Sequence, residues 1–399
     1  MIPIALDLQD AHVYASRGTP RPPAIVAPAP REVSFGKIAG KVSARTARVV
    51  VKVDGVVKGS TVPAHGRFRL TLDLPPRDIR VRIIAEDRFG NRAGRSVAPV
   101  YGLPRAANPT GGRPSAEDAR LARRVKALAH AHPGIAAVYV QDLRTRVGAA
   151  WNAGARFPAA STVKVAIAVE VLRVLGGRPA RGGSLGRQLW SMLVDSDNEA
   201  ANALLTWLGG STSGGAAEVN ATLRSLGIDD SLLYGGYALG TAARRPIPIR
   251  VEEQPDFGLG KHTTAYDLAR LHSLLHMAAH SKGALRRVPG SFTGADARFL
   301  LRTLAHVADP GKLDRYLPSR FPVLHKAGWI TTVRHDAGIV YSPEGAFVAV
   351  VMTWNAAGVG TSSDVLAGRV AATALRRFDA LRGEAAGDSS TRTTMFGWS

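Results

Sequence analysis

Two proline-rich segments divide this chain and limit the ways in which it can fold. Residues 16–31 (SRGTPRPPAIVAPAPR) and 102–115 are so rich in proline, glycine and small residues that neither favours a regular helix. They predict extended linkers between separately folded units. The predicted boundaries are a tail or linker over 1–32, a first domain over 33–101, a linker over 102–114, a second domain over 115–383 and a polar tail over 384–399.

The segment 33–101 has the pattern of a small all-β domain. Alternating or β-branched runs separated by turn residues predict strands at 47–53, 67–72 and 79–85. Several short strands with turns at regular intervals favour a β-sandwich. The run AEDRFGNRAG (85–94) also resembles the closing hairpin of bacterial Ig-like modules. That resemblance covers 33–101 and implies a spacer or adhesion module without chemistry of its own.

The second segment mixes helices and strands. Ser115, followed by Glu117 and Asp118, predicts the N-cap of a first helix over 119–131. After it the patterns predict strands at 136–143 and 147–153, a mostly helical region over 161–304, strands at 337–341 and 346–354, and a helix over 363–381. This order predicts an α+β fold in which terminal helices flank a mixed sheet and an all-helical lobe is inserted in the middle.

Composition narrows the classes of function. Cysteine is absent, which excludes disulfides, thiolate metal sites and cysteine nucleophiles. No apolar run reaches 18 residues, so no transmembrane segment is expected, and MIPIALDLQD lacks the regions of a signal peptide. The net charge of +21 is spread over the chain. It fits a polyanion such as nucleic acid, anionic lipid or an anionic wall polymer, or reflects a compositional bias toward arginine.

A Ser-x-x-Lys sequence, Ser161 to Lys164, opens an apolar helical run (163–175). Residues three apart share a helix face, so a buried, neutral lysine can take the proton of the serine hydroxyl. The amide of a serine at a helix start is also free to face an oxyanion. The alternative for so short a motif is an N-cap with a solvated lysine. A second copy, Ser34 to Lys37, lies in the β segment, where no helix joins its side chains.

Two more motifs follow in order. Ser196-Asp197-Asn198 lies between two helical runs, and Lys326-Ala327-Gly328 precedes the late strands. The alternative for the first motif is a helix N-cap, and the alternative for the second is a strand-edge lysine beside a close-packed glycine. Together with Ser161-x-x-Lys164 they resemble the S-x-x-K, S-D-N and K-T-G motifs of the serine β-lactamase and penicillin-binding-protein superfamily, and class A β-lactamases in particular. The resemblance covers 115–381 and includes the family-like stretches RFPAASTVK (156–164), VDSDNEAANALL (194–205) and HTTAYDLARL (262–271).

This resemblance implies a β-lactamase/DD-peptidase-like fold and a serine hydrolase that works through an acyl-enzyme, without cofactor or metal. It implies that Ser161 is the acylated nucleophile and Lys164 a base for its activation. Ser196 would pass a proton to the leaving nitrogen. Asn198 would hold the substrate amide and brace Lys164. Lys326 would supply positive charge near Ser196 and the substrate carboxylate.

The amides of Ser161 and Trp329 would form the oxyanion hole, and Gly328, Thr331 and Arg334 would contact the substrate. Ala327 stands where the family usually has threonine or serine, whose hydroxyl helps to bind the substrate carboxylate. Arg334, or Thr331 with Thr332, would then compensate. The alternative for Arg334 is a structural ion pair at a strand start.

The Glu-x-x-Leu-Asn loop that supplies the deacylating glutamate of class A enzymes is not found in the sequence. A long loop rich in proline and arginine (244–261) stands in this region. Its Glu252 and Glu253 are either displaced deacylation bases or solvated loop charges. The interval between Ser161 and Ser196 is short for the family, which predicts an open cleft.

The implied substrates are β-lactam amides or wall-peptide-like acyl donors, and such substrates imply an extracytoplasmic location although no signal peptide is visible. Alternatives are a DD-peptidase-like or esterase activity, and a catalytically reduced protein that binds anionic cell-envelope polymers. No motif supports nucleic-acid binding. His272, His276 and His280 share a helix face, which is typical of packing more often than of a metal site.

Overall fold

The computed structural model describes residues 20–107, 116–237, 244–251 and 253–393, with the side chains of 385–393 left aside. The chain folds into two compact units that divide between Gly102 and Leu103. In the first unit the strands are β1 (Ala24–Ala27), β2 (Glu32–Ser34), β3 (Lys37–Lys41), β4 (Thr46–Val53), β5 (Val56–Thr61), β6 (Arg67–Thr71), β7 (Asp78–Asp87) and β8 (Arg92–Gly102).

These strands form a three-stranded sheet in the order β1-β3-β6 and a five-stranded sheet in the order β2-β8-β7-β4-β5. One hydrophobic core joins both sheets: Ile38 of β3 and Phe68 of β6 pack with Val49 and Val51 of β4 and Ile83 of β7. Along β4 and β7 buried residues alternate with more exposed ones, as expected for strands with one face on a core. The small all-β module is therefore present, and its Ig-like character stays a prediction.

The predicted tail over 1–32 needs correction because β1 lies within it. Ala24–Ala27 pairs antiparallel with Lys37–Lys41 at the edge of the three-stranded sheet. Prolines precede and follow β1 in the sequence, and an edge strand tolerates them because one side of its backbone needs no ladder partner. An extended proline-rich segment is thus compatible with this strand.

The second unit begins with a short 3₁₀ helix, Arg105–Ala107. Its strands are β9 (Ala116–Glu117), β10 (Ile135–Asp142), β11 (Val147–Trp151), β12 (Phe157–Pro158), β13 (His262–Thr263), β14 (Val323–Ile330), β15 (Val333–Ser342) and β16 (Gly345–Trp354). Its α-helices are α1 (Ala119–His130), α2 (Lys164–Leu175), α3 (Ser184–Val194), α4 (Asn198–Gly209), α5 (Thr212–Ser225), α6 (Ala265–Ala279), α7 (Gly294–Leu304) and α8 (Thr361–Thr393), and a further 3₁₀ helix spans Ala284–Arg287.

The main sheet has the order β14-β15-β16-β10-β11-β9. The terminal helices α1 and α8 pack on it through a core that includes Leu121, Val125, Val370 and Phe378. Helix α6 also contacts β10, β15 and β16, and α2 contacts α3, α4, α5 and α7. The predicted α+β architecture is confirmed: terminal helices flank a mixed sheet, and a helical lobe is inserted between β12 and β14.

Three predicted boundaries differ from the structure. Asp118, rather than Ser115, is the N-cap of α1, because its carboxylate accepts from the Leu121 amide at 2.6 Å. The last helix, Thr361–Thr393, continues into the predicted polar tail. The Lys326 motif does not precede the late strands but lies within a strand of its own, β14, at the edge of the sheet.

Helix α2 is apolar on nearly all sides, and every residue from Lys164 to Leu172, the charged Glu170 included, is buried. A helix of this kind has to be surrounded by other elements, which explains its central place in the helical lobe. None of the helices in the described ranges has the length and apolar character needed to cross a membrane.

Candidate active site

The segment that carries Ser161 is a tight turn between β12 and α2. The amide of Ala159 donates to the Lys261 carbonyl at 2.9 Å, and the Thr162 hydroxyl donates to the Ala159 carbonyl at 2.7 Å. Ala160 has a φ of 47°, in the left-handed region that L-residues rarely adopt. Ser161 is half-buried and its carbonyl accepts from the Lys164 amide at 3.2 Å. The turn therefore fixes Ser161 one turn ahead of Lys164.

Lys164 is fully buried, at 0% exposure. Its Nζ donates to the Ser196 carbonyl at 2.5 Å, to Asn198 Oδ1 at 2.8 Å and to the Asp197 carbonyl at 3.3 Å. The prediction that Asn198 braces Lys164 fits this contact. The expected meeting of Ser161 and Lys164 is not seen as a hydrogen bond, since within the described residues the Lys164 amine is committed to the Ser196–Asn198 loop.

The pKa of Lys164 is lowered to about 7. Burial is the main cause, because it disfavours the charged amine, and the charges of Lys326 and Lys261 lower the pKa further while Asp197 opposes them. An amine with this pKa is substantially neutral near pH 7, and a neutral amine can accept a proton. The structure thus gives Lys164 the property that a base for serine activation needs.

The Ser196–Asn198 loop joins α3 to α4. Asp197 caps α4 by accepting from the Ala200 amide at 2.8 Å. Ser196 has a φ of 60°, again in the left-handed region. In this conformation its carbonyl accepts from Lys164 while its hydroxyl accepts from Lys326 Nζ at 2.9 Å. Ser196 therefore connects the two buried lysines.

Lys326 lies on the edge strand β14 and is buried. Besides Ser196, its amine donates to the Ala327 carbonyl at 3.0 Å. Burial lowers the pKa of Lys326 to about 8; the carboxylates of Asp309 and Asp336 oppose this shift and Lys312 adds to it. Lys326 is thus largely charged at neutral pH, with its charge beside the Ser196 hydroxyl.

Gly328 brings β14 against the serine turn. A Cβ at this position would lie 2.6 Å from the Ser161 amide nitrogen and 2.9 Å from the Thr162 amide nitrogen, closer than real Cβ contacts. Only glycine allows this approach. Because Trp329 is the next residue, the two backbone segments that carry the predicted oxyanion-hole amides lie side by side.

The structure assigns Arg334 to an ion pair. Its guanidinium donates to both carboxylate oxygens of Asp364, at 2.6 and 2.9 Å. Arg334 is paired with Trp329 in the β14–β15 ladder, one position along from the pair Gly328 and His335. Neighbouring residues of a strand face opposite sides, so Arg334 lies on the same face as Ala327 and Trp329, opposite to the face of Lys326 and Gly328. The ion pair of the alternative interpretation is therefore present, and a contact between Arg334 and the substrate stays a prediction.

Thr331 and Glu253 occupy exposed positions. Thr331 lies in the turn between β14 and β15, where its carbonyl accepts from the Val359 amide at 3.1 Å. Glu253 lies in the 244–261 loop, and Glu252 is outside the described residues. None of the contacts in the described part of the chain links Glu253 to Ser161 or Lys164, so the description as a solvated loop charge suits it better.

Two residues that the sequence analysis did not identify, Tyr237 and Lys261, lie close to Lys164. The ring of Tyr237 has its centroid 4.7 Å from Lys164 Nζ and 4.3 Å from Lys261 Nζ. Burial lowers the pKa of Lys261 to about 8, with a smaller contribution from Arg244. Burial also raises the pKa of Tyr237, so its hydroxyl stays neutral. Lys261 immediately precedes the family-like stretch 262–271, but no local pattern joins it to Tyr237.

The 244–261 loop is tied to the residue that leads into β12. The buried Gln254 accepts from the amides of Arg156 at 2.8 Å and Arg250 at 3.1 Å, and it donates to the Pro248 carbonyl at 3.0 Å. Asp230 binds the guanidinium groups of both Arg156 and Arg250. Hydrogen bonds of Gln254 and ion pairs of Asp230 therefore hold the described part of this loop beside the serine turn.

Gln254→Ala is expected to lower the free energy of unfolding of the second unit by about 2–3 kcal/mol, because it leaves two amides and a carbonyl without their partner. All six tryptophans of the chain follow residue 150, so urea unfolding monitored by tryptophan fluorescence reports on this unit. Gln188→Ala, at a partly exposed position of α3, is the matched control. Equal stability of the two variants would contradict the role assigned to Gln254.

Histidines near the site have structural partners. His335 Nε2 lies 2.9 Å from the Pro158 carbonyl, whereas Asp336 Oδ1 lies 2.7 Å from His325 Nδ1. His335 and Asp336 thus point to different partners, as expected for neighbours on a strand. His272 and His276 are buried in α6, where their Nδ1 atoms contact the Leu268 carbonyl and the Tyr341 hydroxyl. These contacts indicate that His272 and His276 have a packing role in the structure.

Solved structures of other proteins share the fold of the second unit. The structure is similar to PBP-A (20% identity, TM-score 0.52, covering 67% of this chain and 98% of that one). It is also similar to a PBP-A variant solved as an acyl-enzyme with penicillin G (21%, 0.50, 67% and 99%) and to the β-lactamase of Sphaerobacter thermophilus (21%, 0.50, 65% and 96%). At these low identities the structural similarity shows the fold alone.

Comparisons at the level of sequence identify the family of the chain. No curated protein sequence matches the chain. The model of the β-lactamase enzyme family, however, matches residues 120–179 and 179–378, which is more than half of the chain. These ranges contain every residue of the site described above. The chain therefore belongs to the β-lactamase enzyme family.

Proposed function

We propose that the chain is a serine hydrolase that forms an acyl-enzyme on Ser161 with β-lactam or wall-peptide-like amides. The observation that carries the proposal is the convergence of the two buried lysines, Lys164 and Lys326, on Ser196, beside a serine turn that Gly328 holds against β14. An extracytoplasmic location, where such substrates occur, is part of the proposal.

In the proposed acylation, neutral Lys164 takes the proton of the Ser161 hydroxyl as its oxygen attacks the amide carbonyl. The amides of Ser161 and Trp329 hold the oxyanion, and one such donor is typically worth about 2.7–4 kcal/mol in the transition state. The Ser196 hydroxyl then protonates the leaving nitrogen and regains a proton from the Lys326 ammonium group that donates to it. The charged amine of Lys326, at 2.9 Å, supports this transfer and attracts the substrate carboxylate.

Deacylation needs a base for water. Lys164, with its pKa of about 7, is partly neutral at neutral pH and so can accept a proton from water near Ser161. The lifetime of the acyl-enzyme therefore separates the two activities found in the superfamily. A lasting adduct corresponds to a penicillin-binding-protein-like enzyme, and a transient adduct with hydrolysed drug corresponds to a β-lactamase.

The direct test is intact-mass spectrometry of the full chain over time with a penicillin and with a cephalosporin. An increase equal to the mass of the drug, located on the peptide that contains Ser161, is the expected result. Absence of any adduct with either drug, from seconds to hours, would refute acylation by β-lactams. In that case p-nitrophenyl esters would test the esterase alternative.

The acylation rate is expected to depend on pH with an acidic limb near pH 7. Below the pKa of Lys164, which is about 7, the amine is protonated and cannot accept the serine proton, so the rate should fall about tenfold per pH unit. Above about pH 8 Lys326 loses its charge, and the rate should fall again. Stopped-flow measurement with a chromogenic cephalosporin gives the profile. An acidic limb below pH 5 would identify a carboxylate as the base instead.

A second candidate function, binding of an anionic envelope polymer, is favoured by the solvent face of the β-module. Lys52 of β4 stands directly opposite Arg82 of β7. Like charges directly opposite in a sheet are destabilising, and a bound polyanion offsets that repulsion. Within the described residues neither side chain forms an ion pair. We propose this face as the polymer-binding surface.

The double variant Lys52→Glu/Arg82→Glu is expected to lose most of its sedimentation with purified cell wall at low salt. The wild-type binding should itself decline as salt is raised, because the charges are exposed. Arg123→Glu/Arg124→Glu on α1 has the same change in net charge and serves as the control. Equal loss in both double variants would show that net charge, and not this face, causes binding.

A further inference from the structure

The ring of Tyr237 lies against the side-chain nitrogens of two lysines. The distances from its centroid, 4.7 Å to Lys164 Nζ and 4.3 Å to Lys261 Nζ, place the two nitrogens within about 9 Å of each other. The negative face of an aromatic ring attracts cations and so offsets part of the repulsion between them. Lys261 is thus a second lysine close to the base of the proposed acylation.

Backbone and side-chain contacts fix this arrangement. The amide of Tyr237 donates to Asn202 Oδ1 of α4 at 2.7 Å. The Lys261 amine donates to the Gly236 carbonyl at 2.5 Å, next to Tyr237, while the Lys261 carbonyl accepts from the Ala159 amide in the serine turn. Lys261 is therefore held at both ends, with its charge on the side of Lys164.

The charges that act on Lys164 come from three elements. Lys326 on β14 and Lys261 ahead of β13 are positive, and the Asp197 carboxylate at the start of α4 is negative. The Asp197 carboxylate is also engaged in capping α4, and the Tyr237 hydroxyl stays neutral. Arg244 is the charged neighbour that acts on Lys261. The balance around Lys164 is cationic, which favours its neutral form.

We propose that Lys261 is a positioning residue for acylation, whose charge, held against Tyr237, keeps Lys164 in its neutral, proton-accepting form. This inference rests on the proposed function, in which Lys164 activates Ser161. A buried lysine next to another cationic group is a known way to obtain a reactive neutral amine. Two unit charges about 9 Å apart at an effective dielectric constant of about 20 shift a pKa by about one unit.

The test compares Lys261→Met with Lys261→Arg in the full chain, with the pH profile of acylation as readout. Lys261→Met removes the charge but keeps most of the side chain, and its acidic limb is expected about one pH unit higher than in the wild type. Lys261→Arg keeps the charge and should leave the limb within a few tenths of a unit. Tyr237→Phe keeps the ring and should also leave the limb in place.

Two results would overturn the inference. An unchanged acidic limb in Lys261→Met would show that the charge does not act on Lys164. An equal shift in Lys261→Met and Lys261→Arg would show a packing role instead of an electrostatic one.

An independent readout does not require acylation. The 13Cε resonance of Lys164, assigned with Lys164→Arg, reports its titration by NMR. The midpoint of this titration should lie at higher pH in Lys261→Met than in the wild type, and it should not change in Lys261→Arg. If the wild type formed no adduct, the proposed function would fail while this titration still decided the role of Lys261.

Discussion

Replacing Ser161 with alanine is expected to abolish acylation. No penicillin adduct should form over hours, since loss of a nucleophilic serine of this kind lowers turnover by roughly 10⁶-fold. The effect follows from the place of Ser161 at the end of the turn that Gly328 contacts, one turn ahead of the buried Lys164. The free energy of unfolding should change little, because Ser161 is only half-buried and its backbone conformation suits alanine.

The control for this variant is Ser34→Ala. Ser34 belongs to the other Ser-x-x-Lys sequence, in β2 of the first unit, where Gly36 has a φ of 80° and no helix follows. Its variant should be acylated at the wild-type rate. Adduct formation by Ser161→Ala on the same peptide and at the same rate would disprove the assignment of the nucleophile. Mass analysis and peptide mapping distinguish these results.

Gly328→Ala should slow acylation by about 10²–10³-fold, the effect of losing one oxyanion-hole donor. The added methyl carbon would lie 2.6 Å from the Ser161 nitrogen, so β14 and the serine turn have to move apart. That movement separates the two amides proposed to bind the oxyanion. Rates of adduct formation measure the effect.

Gly360→Ala is the matched control, because a Cβ there meets no atom within 4 Å. It should retain the wild-type rate. If Gly328→Ala were acylated as fast as Gly360→Ala, the close approach of β14 to Ser161 would be irrelevant to the reaction. Circular dichroism of both variants would show whether a slow rate reflects misfolding.

The parts of the site that the sequence predicted are local ones. Ser161 and Lys164 are three residues apart ahead of a run so apolar that α2 had to be buried, and burial is what lowers the pKa of Lys164. Ser196 to Asn198 lie between two helices, and a loop there follows from the chain itself. Such features depend on residues that are close together in the sequence, and a sequence pattern can therefore predict them.

The parts that the sequence missed depend on contacts between distant segments. Arg334 meets Asp364 because the β14–β15 register fixes its face of the sheet, and a shift of one residue would reverse that face. Tyr237 meets Lys164 and Lys261 through the path of a long loop. A strand edge was only the alternative for the Lys326 motif, because His325, Lys326 and Gly328 interrupt any simple alternation of apolar residues along β14.

The left-handed conformations of Ala160 and Ser196 have a consequence for how the site responds to substrate. Each costs of order 1–3 kcal/mol for an L-residue, and such a cost persists only where the surrounding fold imposes it. Ala160 directly precedes the proposed nucleophile Ser161, and Ser196 carries the carbonyl that accepts from Lys164 and the hydroxyl that accepts from Lys326. The reacting groups are therefore preorganised during folding, and an incoming amide meets an environment that needs little reorganisation energy to reach the transition state.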